Sequence, residues 1–381
     1  MRQRLAYFLK HNLLLQKIYK VCMSGAFRFL GLFIATDPNL VLFSSFMGSK
    51  YNDSPKAIYD YMQSHQQYKK YRCVWAFEKP ADYPGLETVK MDSVRYFVTA
   101  LRAKYWITNT NIERGLSFKK KKTVYLNTWH GIALKKIGND CPGRKDYNFK
   151  TLDYLCVSGN HDEQVFRSAF GAEENCYLRC GMPRNDVLWQ ATQQQKDQYR
   201  EKLGIAPNKK VILYAPTWRD SADGGRSYAI KLPVDFAAWK AKLGKEYVVL
   251  FRAHHITTEV QDVQFDDFIR DVSDYPEVND LMIAADMLIT DYSAIAFDYA
   301  ILCRPILCYA YDYETYLADR GTYFDIDEKY PMKSCRTQQE LLEKIVTLDY
   351  EKESANTKVF RYAFVQYGKD ATRQCVEKVF G

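Results

Sequence analysis

Short apolar runs alternate with longer segments of helical periodicity along most of this 381-residue chain. Apolar runs bounded by small and polar residues predict buried strands, and the segments between them predict helices. A strand followed by a helix, repeated many times, is typical of a parallel sheet in an α/β fold. Strands are predicted at residues 40–43, 72–77, 105–108, 123–127, 153–158, 176–180, 211–214, 246–251, 286–290 and 305–309.

The repeat falls into two series, which are separated by a polar, glutamine-rich helix predicted over 191–202. That helix has the composition of a linker, and a chain of this length suits two domains. We therefore predict a first domain at 37–195 and a second at 196–381. A pair of helices broken near Gly368 ends the chain and is expected to pack back toward the first domain.

Residues 1–36 do not follow this pattern, because they are basic and contain no carboxylate before Asp37. Leu5, Phe8 and Leu9 recur at helical spacing, and a basic amphipathic helix can lie in an anionic membrane surface. The alternative is a helix that docks on the first domain with its lysines in water. Arg28 interrupts the longest apolar run, which is shorter than the roughly 20 residues of a spanning helix, and no signal-peptide cleavage pattern is visible.

The formal net charge of +8 indicates an acidic partner, such as a phosphorylated substrate or an anionic lipid. Nucleic acid is not predicted, because the chain has none of the usual nucleic-acid motifs and its basic residues are dispersed. Four consecutive lysines at 119–122 are expected to form a solvated turn, with contact to phosphate or lipid as the alternative. The 10 cysteines form no CxxC pair, and several lie in apolar runs, so buried free thiols are favoured over disulfides or zinc.

The stretch from Thr128 to Gly138 carries the strongest candidate chemistry. It follows a predicted strand, and Gly131 permits a tight turn directly after His130. The next residues have helical spacing, so we expect His130 at the carboxyl end of a strand, facing a helix amino terminus. Ligands bind at that position in open α/β sheets, the helix terminus and Lys135 favour an anion, and a histidine there suits a general base. The alternative is a strand-end histidine that is hydrogen-bonded in a turn.

Further polar clusters also follow predicted strands. Arg184 presents a planar fork that suits a phosphate or carboxylate, and an interdomain salt bridge is the alternative. Ser293 lies in a segment predicted to cap the helix at 296–301, where it would meet an anion. The clusters are Gly181–Asp186, Ala215–Asp220, Arg252–His255 and Asp291–Ala294.

In this order the clusters resemble the CDP-glycerol glycerophosphotransferase family of wall teichoic acid synthesis, from about Leu40 to the end. The resemblance implies a GT-B fold, in which two Rossmann-like domains with parallel sheets face an interdomain cleft. The motifs that carry it are Thr128-Trp129-His130-Gly131, Gly181–Asp186, Ala215-Pro216-Thr217-Trp218-Arg219, Arg252-Ala253-His254, Thr290–Ala294 with Phe297-Asp298, Arg304-Pro305 to Asp312, and Arg320–Asp325.

The resemblance also implies roles for individual residues. His130 would be the base for the acceptor hydroxyl, and His254 would stabilise or protonate the leaving group. Packing for Trp218 and helix capping for Asp291 remain open as alternatives. The residues expected to bind the CDP donor are Gly131, Arg184, Thr217, Trp218, Arg219, Arg252, Asp291, Ser293 and Asp298.

The implied reaction moves glycerol phosphate from CDP-glycerol to a polyprenyl diphosphate-linked acceptor, at the cytoplasmic face of the membrane, with the enzyme bound peripherally. No cofactor and no metal are expected, since the spacing of Asp325 and Asp327 is common by chance. Departures from the family pattern at Ile132-Ala133, His255 and Ala294 bear on the polyol, so CDP-ribitol is the first alternative donor. The sequence is also compatible with a nucleotide-sugar glycosyltransferase and with a non-catalytic membrane scaffold.

Overall fold

Two parallel β-sheets organise the chain. The computed structural model describes residues 13–142, 147–217, 229–231, 233–253, 259–261 and 263–381. The first sheet has the order β3-β2-β1-β4-β5-β6-β7, and β1 lies between β2 and β4, with Phe43 paired to Trp75 and Ile107. Its strands are β1 Asp37–Ser44, β2 Arg72–Phe77, β3 Thr88–Lys90, β4 Ala103–Thr108, β5 Val124–Asn127, β6 Tyr154–Cys156 and β7 Tyr177–Leu178.

The second sheet has five strands in the order β12-β10-β8-β13-β14 and is also entirely parallel. The predicted α/β class with parallel sheets is therefore confirmed. The strands are β8 Lys210–Tyr214, β10 Tyr247–Phe251, β12 Ile269–Asp271, β13 Met287–Thr290 and β14 Ile306–Cys308, and a separate parallel pair joins β9 Ala229–Lys231 to β11 Glu259–Gln261.

Helices connect the strands and cover both sheets. The predicted boundary between residues 195 and 196 falls inside one of them, α6, which lies between the last strand of the first sheet and the first strand of the second. The helices are α1 Leu13–Phe33, α2 Asp53–Ser64, α3 Val94–Arg102, α4 Asn160–Phe170, α5 Asp186–Trp189, α6 Gln193–Lys202, α7 Phe236–Leu243, α8 Val278–Ala284, α9 Ile295–Ala300, α10 Tyr313–Arg320, α11 Ile326–Lys329, α12 Gln338–Val346, α13 Tyr350–Phe364 and α14 Ala371–Phe380.

The last two helices pack against different sheets. Phe360 of α13 stacks on Phe297 of the second-sheet layer, with ring centroids 5.2 Å apart. The chain then turns near Gly368, and Val376 of α14 joins the core that covers Val41 of the first sheet. The end of the chain thus ties the two sheets together through apolar burial.

The predicted helix after His130 is wrong. Residues 132–137 form no helix, and they pair with residues 321–323 instead: Tyr323 N–H donates to the Leu134 carbonyl at 2.8 Å, and Lys136 N–H donates to the Gly321 carbonyl at 3.2 Å. Ile132 and Leu134 enter the core of the second sheet, while the intervening Ala133 enters that of the first. Tertiary pairing with a distant segment therefore overrode the helical spacing.

Helix α1 docks on the first sheet's layer through one face. Phe27 stacks on Phe97 with ring centroids 4.5 Å apart, and the Arg28 guanidinium donates to the Ser117 carbonyl at 2.7 Å. The other face carries large apolar side chains in water: Leu15, Ile18, Tyr19, Val21, Phe29, Leu30, Leu32 and Phe33. Among the residues described, no helix has both the length and the apolar character needed to cross a bilayer.

The lysine run at 119–122 is only partly the solvated turn that was expected. Lys119 pairs with Asp153 at 2.9 Å, and the Lys120 ammonium donates to the Ile34 carbonyl just beyond the end of α1. A cation at that position interacts favourably with the helix dipole. This run therefore helps to hold α1 in place.

Candidate active site

The cleft between the two sheets is bordered by the carboxyl ends of their strands. When the strands of each sheet are numbered from 1 in chain order, both sheets have the order 3-2-1-4-5, and the first sheet continues with strands 6 and 7. Each order reverses direction between its first and fourth strands, and ligands bind at that point in open α/β sheets. A cavity of about 1480 Å³ lies there, lined by residues that follow strands of both sheets, among them Lys50, Thr110, His130, Thr217, Arg252 and Ser293.

His130 is held in one orientation at the floor of this cleft. Its Nδ1 lies 2.8 Å from the carbonyl oxygen of Asn109. A carbonyl only accepts hydrogen bonds, so Nδ1 carries the proton and Nε2 has its lone pair available. Within the described part of the chain Nε2 makes no hydrogen bond, and Phe46 and Trp129 contact the ring.

The surroundings of His130 favour its neutral form. Burial lowers the pKa of His130 below its ordinary value of 6.5, and the nearby Arg184 lowers it further. The bond to Asn109 and the carboxylate of Asp53 oppose this shift without reversing it. A neutral imidazole with a free Nε2 is the form that accepts a proton as a general base.

Gly131 allows the His130 loop to approach the second sheet closely. A methyl group added at Gly131 would lie 2.8 Å from the Ala294 Cβ, and Gly131 has a φ of +153°. A side chain at this position would thus meet both a clash and an unfavourable backbone conformation. Gly131 was expected to bind the donor, and its position shows a steric reason for glycine at the contact between the two sheets. Ala294, one of the departures from the family pattern, lies on the other side of that contact.

Arg184 links the two halves of the cleft. Its Nη1 donates to Asp53 Oδ2 at 2.6 Å at the start of α2, and its Nη2 donates to Asp298 Oδ2 at 2.7 Å in α9. The side chains are 11%, 7% and 9% exposed, respectively, and Asn185 donates to the other oxygen of Asp298 at 2.6 Å. This geometry favours the salt-bridge interpretation of Arg184 over direct donor binding. Asp298 is the partner in that salt bridge, so the geometry favours a structural role for it as well.

The Arg184 guanidinium is the cation that both carboxylates of this triad share. Burial acts to lower the pKa of Arg184, but Asp298 and Asp53 raise it overall above its ordinary value. Arg184 therefore stays protonated, and neither buried carboxylate lacks a cation. Buried ions are tolerated only in such paired arrangements.

Two cations from opposite sheets meet in the cleft. Lys50 follows β1, and Arg252 follows β10. Burial and the positive charge of Arg252 lower the pKa of Lys50, and burial lowers that of Arg252. Arg252 Nη1 donates to the carbonyls of Val272 at 2.9 Å and Tyr275 at 2.7 Å, which fixes the guanidinium at the cavity wall.

Asp291 lies beneath the second sheet's loops and does not line the cavity. It is 2% exposed, and its Oδ1 accepts hydrogen bonds from the N–H groups of Thr217 at 2.8 Å and Tyr292 at 2.7 Å. The predicted capping segment does precede α9: Ala294 is the N-cap without a side-chain bond of its own, and Ser293 Oγ accepts from the Ile295 N–H at 3.4 Å, whereas Asp291 does not cap the helix. Thr217 and Ser293 do line the cavity, and Asp291 positions the loop that carries Thr217.

Three of the predicted site residues, Trp218, Arg219 and His254, lie outside the described residues, as does His255. Their roles stay predictions. They come directly after Thr217 and Ala253 in the chain, and both of those line the cavity.

Sequence reasoning missed Lys50, Asp53 and Asn109. Each follows a predicted strand, so the rule that located His130 would have located them too. Asp53 is tied to the site by its ion pair with Arg184, Asn109 by its hydrogen bond with His130, and Lys50 by its place in the lining of the cavity.

The acidic pair at 325–327 serves local structure. Asp325 Oδ1 accepts a hydrogen bond from the Asp327 N–H at 2.8 Å at the start of α11, and Asp327 pairs with Arg336 at 2.9 Å. The two carboxylates are therefore engaged with different partners.

A family model described as CDP-Glycerol:Poly(glycerophosphate) glycerophosphotransferase matches residues 26–381. The teichoic acid poly(glycerol phosphate) polymerase of Bacillus spizizenii is 31% identical over 396 aligned positions, which take in 98% of both chains. That of Staphylococcus epidermidis is 36% identical over 357 positions, 87% of this chain, and this chain spans about half (49%) of its length.

Solved structures of a wall teichoic acid polymerase are also similar to this chain over nearly its whole length. The wall teichoic acid polymerase TagF superposes with a TM-score of 0.81 at 32% identity, covering 96% of this chain and 95% of that one. A histidine-to-asparagine variant of that polymerase soaked with CDPG superposes with a TM-score of 0.80 at 31% identity, with the same coverage.

Proposed function

Since the chain belongs to the CDP-glycerol:poly(glycerophosphate) glycerophosphotransferase family, we propose that it transfers glycerol phosphate from CDP-glycerol to a lipid-linked acceptor. CMP is the leaving group, and the two sheets correspond to the two domains of a GT-B enzyme with the reaction in the cleft. The observation that carries the proposal is His130, fixed through Nδ1 with Nε2 available, in a cavity lined by cations of both sheets.

In the proposed reaction the acceptor hydroxyl attacks the phosphorus that bears the glycerol. His130 Nε2 takes the proton of that hydroxyl, a new phosphate–oxygen bond forms, and the bond to the CMP oxygen breaks. Phosphoryl transfer depends mainly on alignment and on neutralisation of charge. The Arg184 triad supplies alignment, because it connects the layer that carries His130 to α9 of the second sheet.

Lys50 and Arg252 would neutralise the diphosphate of the donor. The positive charge of Arg252 acts on Lys50, with Asp274 opposing it, and an anion between the two cations would relieve their repulsion. Thr217 and Ser293 add hydroxyl groups on the second-sheet side of the cavity. By resemblance, His254 and Arg219 would complete this side of the site.

The choice of donor separates this proposal from a ribitol phosphate transferase, a glycosyltransferase and a scaffold. Purified full-length protein should release CMP from CDP-glycerol in the presence of a lipid-linked acceptor, and it should act much more slowly on CDP-ribitol. Turnover of a UDP-sugar, with no CMP released from either CDP donor, would contradict the proposal. Tight binding of CDP-glycerol without CMP release across a range of lipid acceptors would instead identify a non-catalytic scaffold.

We place the enzyme peripherally on an anionic membrane through the exposed face of α1. Val21, Leu32 and Phe33 are 72%, 79% and 75% exposed on one helix, and the exposed Lys17 lies one turn before Val21. Contiguous apolar side chains in water mark interaction surfaces, and a neighbouring cation suits an anionic lipid surface. The opposite face of α1 already packs on the protein, so membrane contact and docking use different faces.

Replacing Val21, Leu32 and Phe33 together with glutamine should weaken binding to anionic vesicles by about 100-fold or more. Full burial of one such side chain contributes about 1.5–3 kcal/mol, so partial burial of three exceeds the roughly 2.7 kcal/mol of a 100-fold change. Vesicle sedimentation measures the loss. Glutamine at the exposed Val346 and Val359 is the matched control and should leave sedimentation unchanged. Wild-type sedimentation by the triple variant, at any salt concentration, would place the membrane contact elsewhere.

A further inference from the structure

Three cysteines from distant parts of the chain meet in the core of the first sheet, outside the cleft. Cys156 ends β6, Cys180 follows β7, and Cys375 lies in α14; each is at most 1% exposed. Their Sγ atoms are separated by 3.4 Å (Cys156–Cys375), 3.6 Å (Cys180–Cys375) and 3.8 Å (Cys156–Cys180). The three sulfur atoms therefore form a nearly equilateral triangle.

The size of this triangle fits a metal ion. Thiolates bonded tetrahedrally to zinc at about 2.3 Å lie about 3.8 Å apart, whereas a flat trigonal arrangement separates them by about 4.0 Å. The observed separations approach the tetrahedral value more closely than the flat one. We propose that Cys156, Cys180 and Cys375 form a binding site for one thiophilic divalent cation of the zinc class.

The composition of the site sets its chemistry. Each thiol releases its proton to water as the metal–sulfur bond forms, so three thiolates and one divalent cation leave a net charge of −1. The described residues supply no fourth His, Cys, Asp or Glu donor within 4.8 Å of all three sulfur atoms. The Gly181 carbonyl oxygen, which accepts from Cys180 Sγ at 3.3 Å, or a water would take the fourth vertex.

The surrounding core has no evident need for thiols. Apart from Met62 and the partly buried Cys73, the other side chains in this cluster are aliphatic or aromatic, such as Val41, Phe43 and Leu126. The spacing along the sequence is far from that of a zinc finger, so the sequence alone favours free thiols over zinc. Only the fold brings the three sulfur atoms together.

A bound cation would brace one wall of the cleft. The first turn of α14 is already joined to the Arg184 loop, because Asp186 accepts from the N–H groups of Ala371 at 2.8 Å and Thr372 at 2.9 Å. A metal joining Cys375 to Cys180 would add a second connection between the same elements. The expected consequence is greater stability, and the proposal does not depend on the transferase activity.

The test uses the reduced full-length protein in metal-free buffer, titrated with ZnCl2 and, separately, with CoCl2. We expect one zinc per chain, a cobalt–thiolate charge-transfer absorption, and a higher unfolding temperature with zinc. Cys375→Ala should abolish all three effects, and Cys335→Ala, a buried thiol outside the triangle, should retain them. Cys156→Ala and Cys180→Ala repeat the test, and circular dichroism verifies that each variant folds.

Several results would overturn the proposal. One is a folded wild-type protein that takes up no zinc. Another is equal uptake by the wild type and every folded triangle variant, which would indicate adventitious binding at an exposed thiol such as Cys22. A third is a Cys156–Cys375 disulfide in protein alkylated at lysis, combined with no zinc uptake after reduction.

Discussion

Replacing His130 with asparagine should lower the rate of CMP release by about 10²–10⁴-fold, the usual contribution of a general base. The asparagine Nδ2 can donate to the Asn109 carbonyl as His130 Nδ1 does at 2.8 Å, so the loop should keep its position. The variant has no basic nitrogen where Nε2 stood. CDP-glycerol affinity, measured by calorimetry, should stay within a few-fold of the wild type, because the proposed role is on the acceptor side.

His65 provides a matched control. Its Nδ1 also contacts a backbone carbonyl, that of Tyr61 at 2.9 Å, but it does not line the cleft. His65→Asn should therefore keep full activity. Near-normal turnover by the His130 variant would remove this residue from the chemical step, and a collapse of donor affinity would move it to the donor side.

The pH dependence gives an independent reading of the same residue. A general base must be neutral, so kcat/KM should fall as the pH drops through the pKa of His130 in the free enzyme. Burial lowers that pKa below 6.5, so wild-type activity should persist to more acidic pH than an ordinary histidine would allow. The residual activity of the asparagine variant should lack this acidic limb.

The sheets could be predicted from the sequence because their determinants are local. The predicted strand at 72–77 coincides with β2, and the break near Gly368 coincides with the turn between α13 and α14. Each of these features depends on the apolar or turn-forming character of adjacent residues. Candidate positions at the ends of strands followed from the same rule, which is how His130 and Arg252 were located.

The sequence could not show which residues would contact one another across long separations. Residues 132–137 have a spacing that a helix can use, but their pairing partner lies almost two hundred residues later. Arg184 fits a phosphate as well as a carboxylate, and only the fold brings Asp53 and Asp298 to it. The local sequence pattern therefore indicated which chemistry each side chain could perform, but it did not indicate which residue each side chain would contact.

Replacing Arg184 with alanine should lower the free energy of unfolding by about 3–5 kcal/mol, because two buried carboxylates lose the cation that they share. Asp53 and Asp298 accept its two bonds at 2.6 and 2.7 Å, and their side chains are 7% and 9% exposed. Turnover should fall as well, by about 10²-fold, since a shift of about 1 Å between reacting groups has that effect. Equilibrium denaturation and CMP release measure the two quantities.

A second substitution distinguishes a structural role of Arg184, as the link between α2 and α9, from a role in donor binding. Adding Asp298→Asn to Arg184→Ala removes one uncompensated charge, so the double variant should recover part of the lost stability while turnover stays low. Arg72→Ala is the control: the side chains of its ion pair with Glu87 are 52% and 38% exposed, so stability and turnover should change little. If Arg184 instead held the donor, Arg184→Ala would unfold like the wild type and fail mainly in CDP-glycerol affinity. If Arg184 connects the two sheets, the main effect of Arg184→Ala is a loss of stability, and that loss is seen even when no donor is present.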